Sequence, residues 1–136
     1  MEVRFATPAD RFYIVRGLQN KHMDFNTPAH AKEDIINGRL LVAVMNGKIV
    51  GSLAVVETTH GYYGLKRGCI YNKQNKGKGI MSALFDYAIS LNLGDYGCTP
   101  WADNEPMMRL LAKRGFQYEK TVCEKYLVFI KKSVDR

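Results

Sequence analysis

Apolar residues recur with a helical period in one segment of the second half of the chain. They stand at positions i, i+3, i+4, i+7, i+8 and i+11, namely Ile80, Ala83, Leu84, Tyr87, Ala88 and Leu91. This spacing places them on one face and predicts an amphipathic helix that begins near Ile80. A further helix is predicted between Asn104, which can act as its N-cap, and Gly115, which can end it.

The first forty residues predict one strand followed by two helices. Residues 3–6 have the composition of a short strand. Thr7-Pro8 and Thr27-Pro28 are each typical of a helix start, because threonine caps the helix and proline is tolerated at its first position. Gly38 closes the second of these helices.

The remaining apolar runs predict strands. Residues 40–45 and 48–58 are joined by Asn46-Gly47, a strong hairpin signal because both residues tolerate positive φ. Further strands are predicted at residues 63–71 and 97–101, and an antiparallel pair at 116–118 and 122–130. The order β-α-α-β-β-β-α-β-α-β-β predicts a single mixed α/β domain over residues 1–136, with a central sheet of about six to seven strands flanked by about four helices.

Composition narrows the class of protein. Hydrophobic residues make up 46% and charged residues 24%, as in a soluble globular protein. No apolar run approaches the roughly 18 residues that cross a bilayer, and no secretory signal is expected at the N-terminus, so we expect no membrane partner. Three widely spaced cysteines and three histidines show no ligand spacing, which predicts no bound metal and a reducing, cytoplasmic location.

The net charge of +7 is concentrated in one part of the chain. Residues 58–85 contain no Asp or Glu, but they include five basic residues: Lys66, Arg67, Lys73, Lys76 and Lys78. A local excess of this kind indicates an anionic ligand bound at one place. A solvated lysine-rich loop is the alternative interpretation.

Residues 71–84 predict where that anion binds. A strand ends, a polar loop containing Gly77 and Gly79 follows, and a helix begins at once. The first amides of a helix have no internal partner and carry partial positive charge, and Lys76 and Lys78 add full charges, so the segment suits a diphosphate. The spacing is neither that of a Walker A loop nor that of a Rossmann fingerprint. An ordinary strand-to-helix turn is the alternative.

This segment resembles the GNAT superfamily of acyl-CoA-dependent N-acetyltransferases, whose motif is Arg/Gln-x-x-Gly-x-Gly/Ala. Residues 74–79 match the letters of the motif, whereas residues 76–81 match its surroundings better. We favour the second register because the apolar stripe fixes the phase of the helix; it places Lys76 at the basic position and Met81 at the last, usually small one. Residues 104–116 are similar to the family's next helix, Asn…Leu-Tyr-x-x-x-Gly-Phe.

The resemblance implies a fold in which the fourth and fifth strands splay apart around the pantetheine arm of acetyl-CoA. The backbone of Cys69, Ile70 and Tyr71 would pair with that arm, and Asn104 would face it. The amides of Gly77, Lys78, Gly79, Ile80, Met81 and Ser82 would hold the diphosphate. Lys73, Lys76 and Lys78 could reach the phosphates of the nucleotide end.

The resemblance also implies direct attack of a primary amine on the thioester, with acetyl-CoA as co-substrate and no metal. Glu57 is the first candidate for the base and His60 the second, and the backbone amide of Tyr71 is the candidate oxyanion donor. The family's usual tyrosine acid corresponds here to Leu111. Tyr71 and Tyr118 are alternative proton donors, whereas Cys69 and Cys98 are expected to be core residues.

The resemblance implies a small-molecule or peptide amine as the acceptor, whose identity the sequence does not specify. His22, Met23, Asp24, Phe25 and Asn26 could line its groove or could form a surface connection. Two other functions stay open: a module that binds acyl-CoA without turnover, and a small nucleic-acid-binding domain that uses residues 66–78 with Tyr62, Tyr63 and Tyr71. Nucleic acid is the less favoured partner because it leaves the second motif unexplained, and homodimerisation is left open.

Overall fold

A computed structural model describes residues 1–19 and 28–133. In this part of the chain, seven strands form one sheet in the order β1-β2-β3-β4-β5-β7-β6. The strands are β1 (Glu2–Phe5), β2 (Leu40–Met45), β3 (Lys48–Glu57), β4 (Tyr63–Ile70), β5 (Tyr96–Cys98), β6 (Gln117–Val122) and β7 (Tyr126–Lys131). The helices are α1 (Arg11–Gln19), α2 (Pro28–Ile36), α3 (Ile80–Ser90) and α4 (Glu105–Lys113). The predicted mixed α/β class and element order are confirmed.

Two apolar layers cover the two faces of the sheet. In β2, Leu41 and Ala43 belong to the layer that contains the buried residues of α3 and α4, whereas Leu40 and Val42 belong to the layer under α1 and α2. Alternate residues of a strand point to opposite faces, so a strand covered on both faces is apolar throughout. This explains why residues 40–44 form an uninterrupted apolar run.

The sheet opens between β4 and β5. These two strands are parallel, and they pair only at Tyr63 with Tyr96 and Gly64 with Gly97. Beyond Gly64, β4 continues to Ile70 with β3 as its neighbour on one side. Along this part of β4, the edge that faces β5 is not paired with it, as the resemblance implied.

The N-terminal helix begins one turn later than the threonine-proline signal predicts. Residues Pro8–Asp10 form a 3-10 turn, and α1 follows from Arg11. The Asp10 carboxylate accepts a hydrogen bond from the Thr7 amide at 2.8 Å and two from the Arg4 guanidinium at 2.7 and 3.0 Å. The hydrogen bonds from Arg4, the largest effect, lower the pKa of Asp10 to about 2.

The last strands differ from the prediction. The turn between β6 and β7 covers residues 123–125, so the predicted start of the final strand at residue 122 is wrong. Cys123 and Glu124 have φ values of 54° and 57°, although neither residue type favours positive φ. The predicted strand at 97–101 is also shorter, since β5 ends at Cys98 and Trp101 makes only an isolated bridge to Tyr126.

None of the helices in the described ranges combines the length and the apolar character that a membrane span needs. Thr27, predicted to cap the second helix, lies outside the described residues, as does the predicted acceptor segment from His22 to Asn26.

Candidate active site

The gap between β4 and β5 opens into a cavity of about 740 Å³. Its walls come from several elements: the end of β3, β4 as far as Gly68, α3 through Phe85, α4 through Met107, and the segment after β5. Two predicted site residues, Glu57 and Asn104, line it. The topology therefore brings together residues that lie 47 positions apart in the sequence.

A β-bulge interrupts β4 at this cavity. Ser52 pairs with Cys69 and Ala54 with Lys66, so two residues, Arg67 and Gly68, stand opposite Leu53 alone. An extra residue of this kind leaves the regular hydrogen-bond ladder and redirects the backbone around it. Both bulge residues line the cavity. Their main chain can therefore present polar groups to a ligand there.

The bulge was not predicted from the sequence. Gly68 interrupts the β-rich run of residues 63–71, and an isolated glycine within a strand is a known signal of a bulge or of a close backbone approach. A Cβ atom placed on Gly68 would lie 3.1 Å from both Sδ and Cε of Met81. The absence of a side chain at position 68 thus allows α3 to approach the bulge.

Arg67 is held in an unusual conformation. Its φ of 55° lies in the left-handed region that non-glycine residues rarely occupy. Its Nε and Nη2 atoms donate to the two carboxylate oxygens of Asp34 in α2 at 3.1 and 2.8 Å. The Arg67 charge is therefore balanced inside the protein by Asp34, so Arg67 does not add to the positive charge available to an anionic ligand.

The glycine turn before α3 is open. Gly77 and Gly79 have φ values of 79° and 75°, and a Cβ atom on either would meet no described atom within 4 Å. Ala83 N donates to Gly79 O at 3.0 Å, so the amides of Ile80, Met81 and Ser82 precede the first donor of the helical ladder. Lys73, Lys76 and Lys78 are exposed around this turn. The arrangement offers main-chain donors and positive charge to an anion.

The end of β4 connects the cavity to the turn. Cys69 pairs with Ser52 and Ile70 with Gly51, so β3 covers one edge of this part of β4, whereas the other edge faces the gap. The side chain of Cys69 is buried in the layer under α1 and α2, whereas Ile70 packs against the opposite layer. Cys69 is thus a core residue, as expected, and these two residues are placed where a ligand could run from the cavity to the turn.

Tyr71 is placed unfavourably for the role of oxyanion donor. Its backbone amide already donates to Val50 O at 2.9 Å. Its hydroxyl donates to Ser52 Oγ at 2.7 Å, and its ring lies against Gly17 of α1. Burial raises the pKa of Tyr71, so the phenol stays protonated. Tyr71 does not line the cavity. This geometry favours the main chain of the bulge, rather than Tyr71, as the oxyanion donor.

The candidate bases lie at the rim of the cavity. Glu57 is exposed and forms no ion pair with another described residue. His60 lines the same cavity, with its ring stacked on Tyr62 at a centroid distance of 6.1 Å. A carboxylate at this position can accept a proton from an ammonium group that enters the cavity.

The candidate acids and nucleophiles are poorly suited to those roles. Leu111, at the family's tyrosine position, is fully buried and brings no hydroxyl. Tyr118 is exposed, bonded to Thr121 at 2.7 Å, and absent from the cavity wall. Cys98 lines the cavity, but burial raises the pKa of its thiol to about 12, so it stays protonated and is a poor nucleophile.

Asn104 has a structural partner as well as a place in the cavity. Its Oδ1 accepts a hydrogen bond from Met107 N at 3.3 Å and caps α4. The capping role expected from the sequence is confirmed. The cap also holds the Asn104 side chain at the cavity wall, where it can face a bound ligand.

Comparison with known proteins identifies the family. The model of the acetyltransferase (GNAT) family matches residues 10–116, and the chain belongs to this family. It is therefore an acyltransferase of a family that uses acetyl-CoA as its co-substrate. No curated protein matches the sequence at a significant level.

Three solved structures illustrate the shared fold. A GNAT acetyltransferase from Bacillus cereus superposes with a TM-score of 0.83 at 19% identity, covering 98% of each chain. Ard1 from Thermoplasma volcanium gives a TM-score of 0.81 at 17% identity, again over 98% of each chain. The ribosomal-protein-S5-alanine acetyltransferase from Vibrio fischeri gives 0.75 at 19% identity, covering 98% of this chain and 93% of that one.

Proposed function

We propose that the protein transfers the acetyl group of acetyl-CoA to a primary amine by direct attack on the thioester. The observation that carries this proposal is the continuous path along β4. It begins in the cavity between β4 and β5, passes the free edge of Cys69 and Ile70, and ends at the open turn of Gly77 and Gly79. Acetyl-CoA has the matching order of groups: thioester, extended pantetheine arm and diphosphate.

The cofactor is held mainly by the main chain in this proposal. Cys69 and Ile70, with Tyr71 at the end of the path, lie alongside the pantetheine arm, and Asn104 faces the arm from the N-cap position of α4. The amides from Gly77 to Ser82, including those of Lys78, Gly79, Ile80 and Met81, surround the diphosphate. Lys76 and Lys78 add charge that attracts the phosphates.

The oxyanion donor in this proposal is the main chain of the bulge. Arg67 and Gly68 line the cavity and leave the β3–β4 ladder, whereas the Tyr71 amide is bonded to Val50. Preorganised amides aimed at a developing oxyanion are worth about 2.7–4 kcal/mol of barrier reduction. The role first assigned to Tyr71 therefore passes to the bulge.

Glu57 is the proposed base. It receives one proton from the attacking ammonium group, directly or through water, so that a neutral amine forms the C–N bond. The C–S bond of the thioester then breaks, coenzyme A leaves as the thiolate, and the new amide nitrogen loses its second proton to solvent. With Leu111 at the tyrosine position, solvent returns a proton to that thiolate. The reaction is thus balanced without a metal or a second cofactor.

The acceptor is a small-molecule or peptide amine. Trp101 and Tyr126 line the cavity with ring centroids 5.1 Å apart, and Trp101 is 46% exposed, so the opening has an apolar wall. The Vibrio fischeri neighbour is named for an alanine of ribosomal protein S5. A test panel should therefore include alanine-initiated peptides beside small amines.

Two measurements test the proposal. Calorimetry with coenzyme A should show saturable binding that weakens in the double variant Lys76→Gln/Lys78→Gln but not in Lys32→Gln, which removes an exposed charge from α2 on the opposite face of the sheet. A thiol-release assay with acetyl-CoA should show turnover for at least one amine of the panel. Binding without turnover would favour a non-catalytic acyl-CoA module, and retention on polyanions without coenzyme A binding would favour a nucleic-acid-binding domain.

A further inference from the structure

Asp34 is a carboxylate in a buried position. It is 2% exposed, and its oxygens accept three hydrogen bonds from two arginines. Arg67 supplies two of these bonds, and Arg39 Nε supplies the third at 2.7 Å. The carbonyl of Arg39 in turn accepts the Val55 amide of β3 at 2.8 Å. A buried charge requires such partners, and these fix the carboxylate relative to the sheet.

The same contact restrains the backbone at the cavity. Arg67 occupies the left-handed region, which is disfavoured for a residue with a Cβ atom, and such strain persists only where the surroundings enforce it. A guanidinium that is held at two points limits the rotation of its own backbone. Gly68, the next residue, has no side chain that could be held in this way.

We propose that Asp34 is a positioning residue that acts through Arg67. By holding the guanidinium from α2, it keeps the β4 bulge in the conformation that turns the main chain of Arg67 and Gly68 toward the acetyl carbonyl. This inference rests on the proposed function for its catalytic meaning. Asp34 itself does not line the cavity and touches no reacting atom.

A catalytic effect of this kind has a recognisable signature. A displaced oxyanion donor weakens binding of the transition state but leaves binding of the ground state largely intact, so kcat falls while KM for acetyl-CoA stays similar. Removing one such donor outright costs about 10²–10³ in kcat. Asp34→Asn should displace the donor rather than remove it, so we expect kcat to fall by about tenfold to a hundredfold.

Glu33→Gln provides the matched control. It removes one negative charge from the neighbouring position of α2, where Glu33 is exposed and bonds Arg39 at 3.2 Å, but it leaves the contact between Asp34 and Arg67 intact. We expect kcat of Glu33→Gln to equal that of the wild type. Equal losses in the two variants would show a general effect of charge on α2 and would overturn the proposal.

The variant Arg67→Gly separates positioning from a loss of stability. Glycine accepts positive φ without a restraint, so Asp34 has no guanidinium to hold in this background. Asp34→Asn should then cause no further loss of kcat, although it still lowers the melting temperature. A loss of kcat as large in the Arg67→Gly background as in the wild type would overturn the proposal.

A second readout does not depend on activity. In ¹⁵N-labelled protein without ligand, Asp34→Asn should shift the amide resonances of Arg67 and Gly68 and speed their hydrogen exchange, whereas Glu33→Gln should not. Unchanged resonances and exchange at both amides would overturn the proposal. If no amine is acetylated, the proposed function fails, and this comparison still decides whether Asp34 holds the bulge.

Discussion

The side chain of Met81 lies against Gly68, which brings the first turn of α3 into contact with the bulge of β4. The two segments have separate proposed tasks, because the start of α3 faces the diphosphate and the bulge faces the thioester. The packing of Met81 against Gly68 therefore fixes the distance between the start of α3 and the bulge of β4. Met81, which departs from the small residue usual at the end of the family motif, is the residue that makes this contact.

Gly68→Ala should disturb that contact. A Cβ atom at this position would be 3.1 Å from Sδ and Cε of Met81, which is tight, and 3.4 Å from Leu53 Cδ1, which leaves little room on the other side. Overpacking of this kind costs about 1–3 kcal/mol, and we expect kcat to fall by about tenfold as the bulge shifts. Met81→Ala alone should keep most of the activity, and combined with Gly68→Ala it should restore much of the lost rate. A double variant no faster than Gly68→Ala would contradict this explanation.

Ser52→Ala should destabilise the protein without changing catalysis. Ser52 and Tyr71 are 2% and 3% exposed, and the substitution leaves the buried Tyr71 hydroxyl without its acceptor. An unsatisfied buried donor costs about 1–3 kcal/mol, measurable by urea unfolding. Ser52→Ala/Tyr71→Phe removes both partners, so its loss should be smaller than the sum of the single losses. The double variant should also acetylate at the wild-type rate, and a severe loss of rate would return Tyr71 to the list of catalytic residues.

Glu57→Gln should slow the reaction and leave cofactor binding unchanged. A positioned base contributes about 10²–10⁴ to the rate, and we expect kcat to fall by about a hundredfold near pH 7. The deficit should shrink at high pH, because a larger share of the acceptor is then already a free amine. Glu2→Gln, in the edge strand β1, is the control. If Glu57→Gln keeps the wild-type rate near pH 7, the base lies elsewhere or the acceptor arrives deprotonated.

Asp10 should make stability fall in acid. Its pKa is lowered from 3.8 to about 2, first by the hydrogen bonds from Arg4, so the folded state binds fewer protons than the unfolded state between these values. The resulting stabilisation is complete above about pH 4 and is lost as the pH falls through about 2. Since Arg4 is 35% exposed, solvent screening limits the contribution to about 1–2 kcal/mol.

The comparison variant for this effect is Asp10→Asn. Its free energy of unfolding should lie below that of the wild type at pH 7, and the two should converge between pH 4 and pH 2. Asp103→Asn, which changes an exposed carboxylate before α4, should follow the wild type. A constant difference between Asp10→Asn and the wild type across this range would contradict the assigned pKa.

Local patterns predicted most of the fold. The Asn46-Gly47 turn has φ values of 51° and 76°, as the hairpin signal requires, and the stripe of α3 buries Ile80 and Leu84. These features depend on residues close in sequence. The turn at residues 123–125 was missed because it contains no glycine, proline or asparagine, so nothing in its composition announces a change of direction.

The parts of the site that depend on local backbone conformation could be predicted from the sequence. The parts that depend on contacts between residues far apart in the sequence could not. The open turn at Gly77 and Gly79 follows from glycine placement and the phase of α3. The pairing of Asp34 with Arg67 joins residues 33 positions apart and cannot be read from one sequence. Gly68 did signal a bulge, but what the bulge faces depends on the separation of β5 from β4.

A crystal structure with coenzyme A bound would test the central claim most directly. We predict that the diphosphate oxygens lie within hydrogen-bond distance of the amides of Ile80, Met81 and Ser82, with the pantetheine arm along the free edge of β4. A structure in which coenzyme A binds elsewhere and leaves the turn of Gly77 and Gly79 empty would contradict the account.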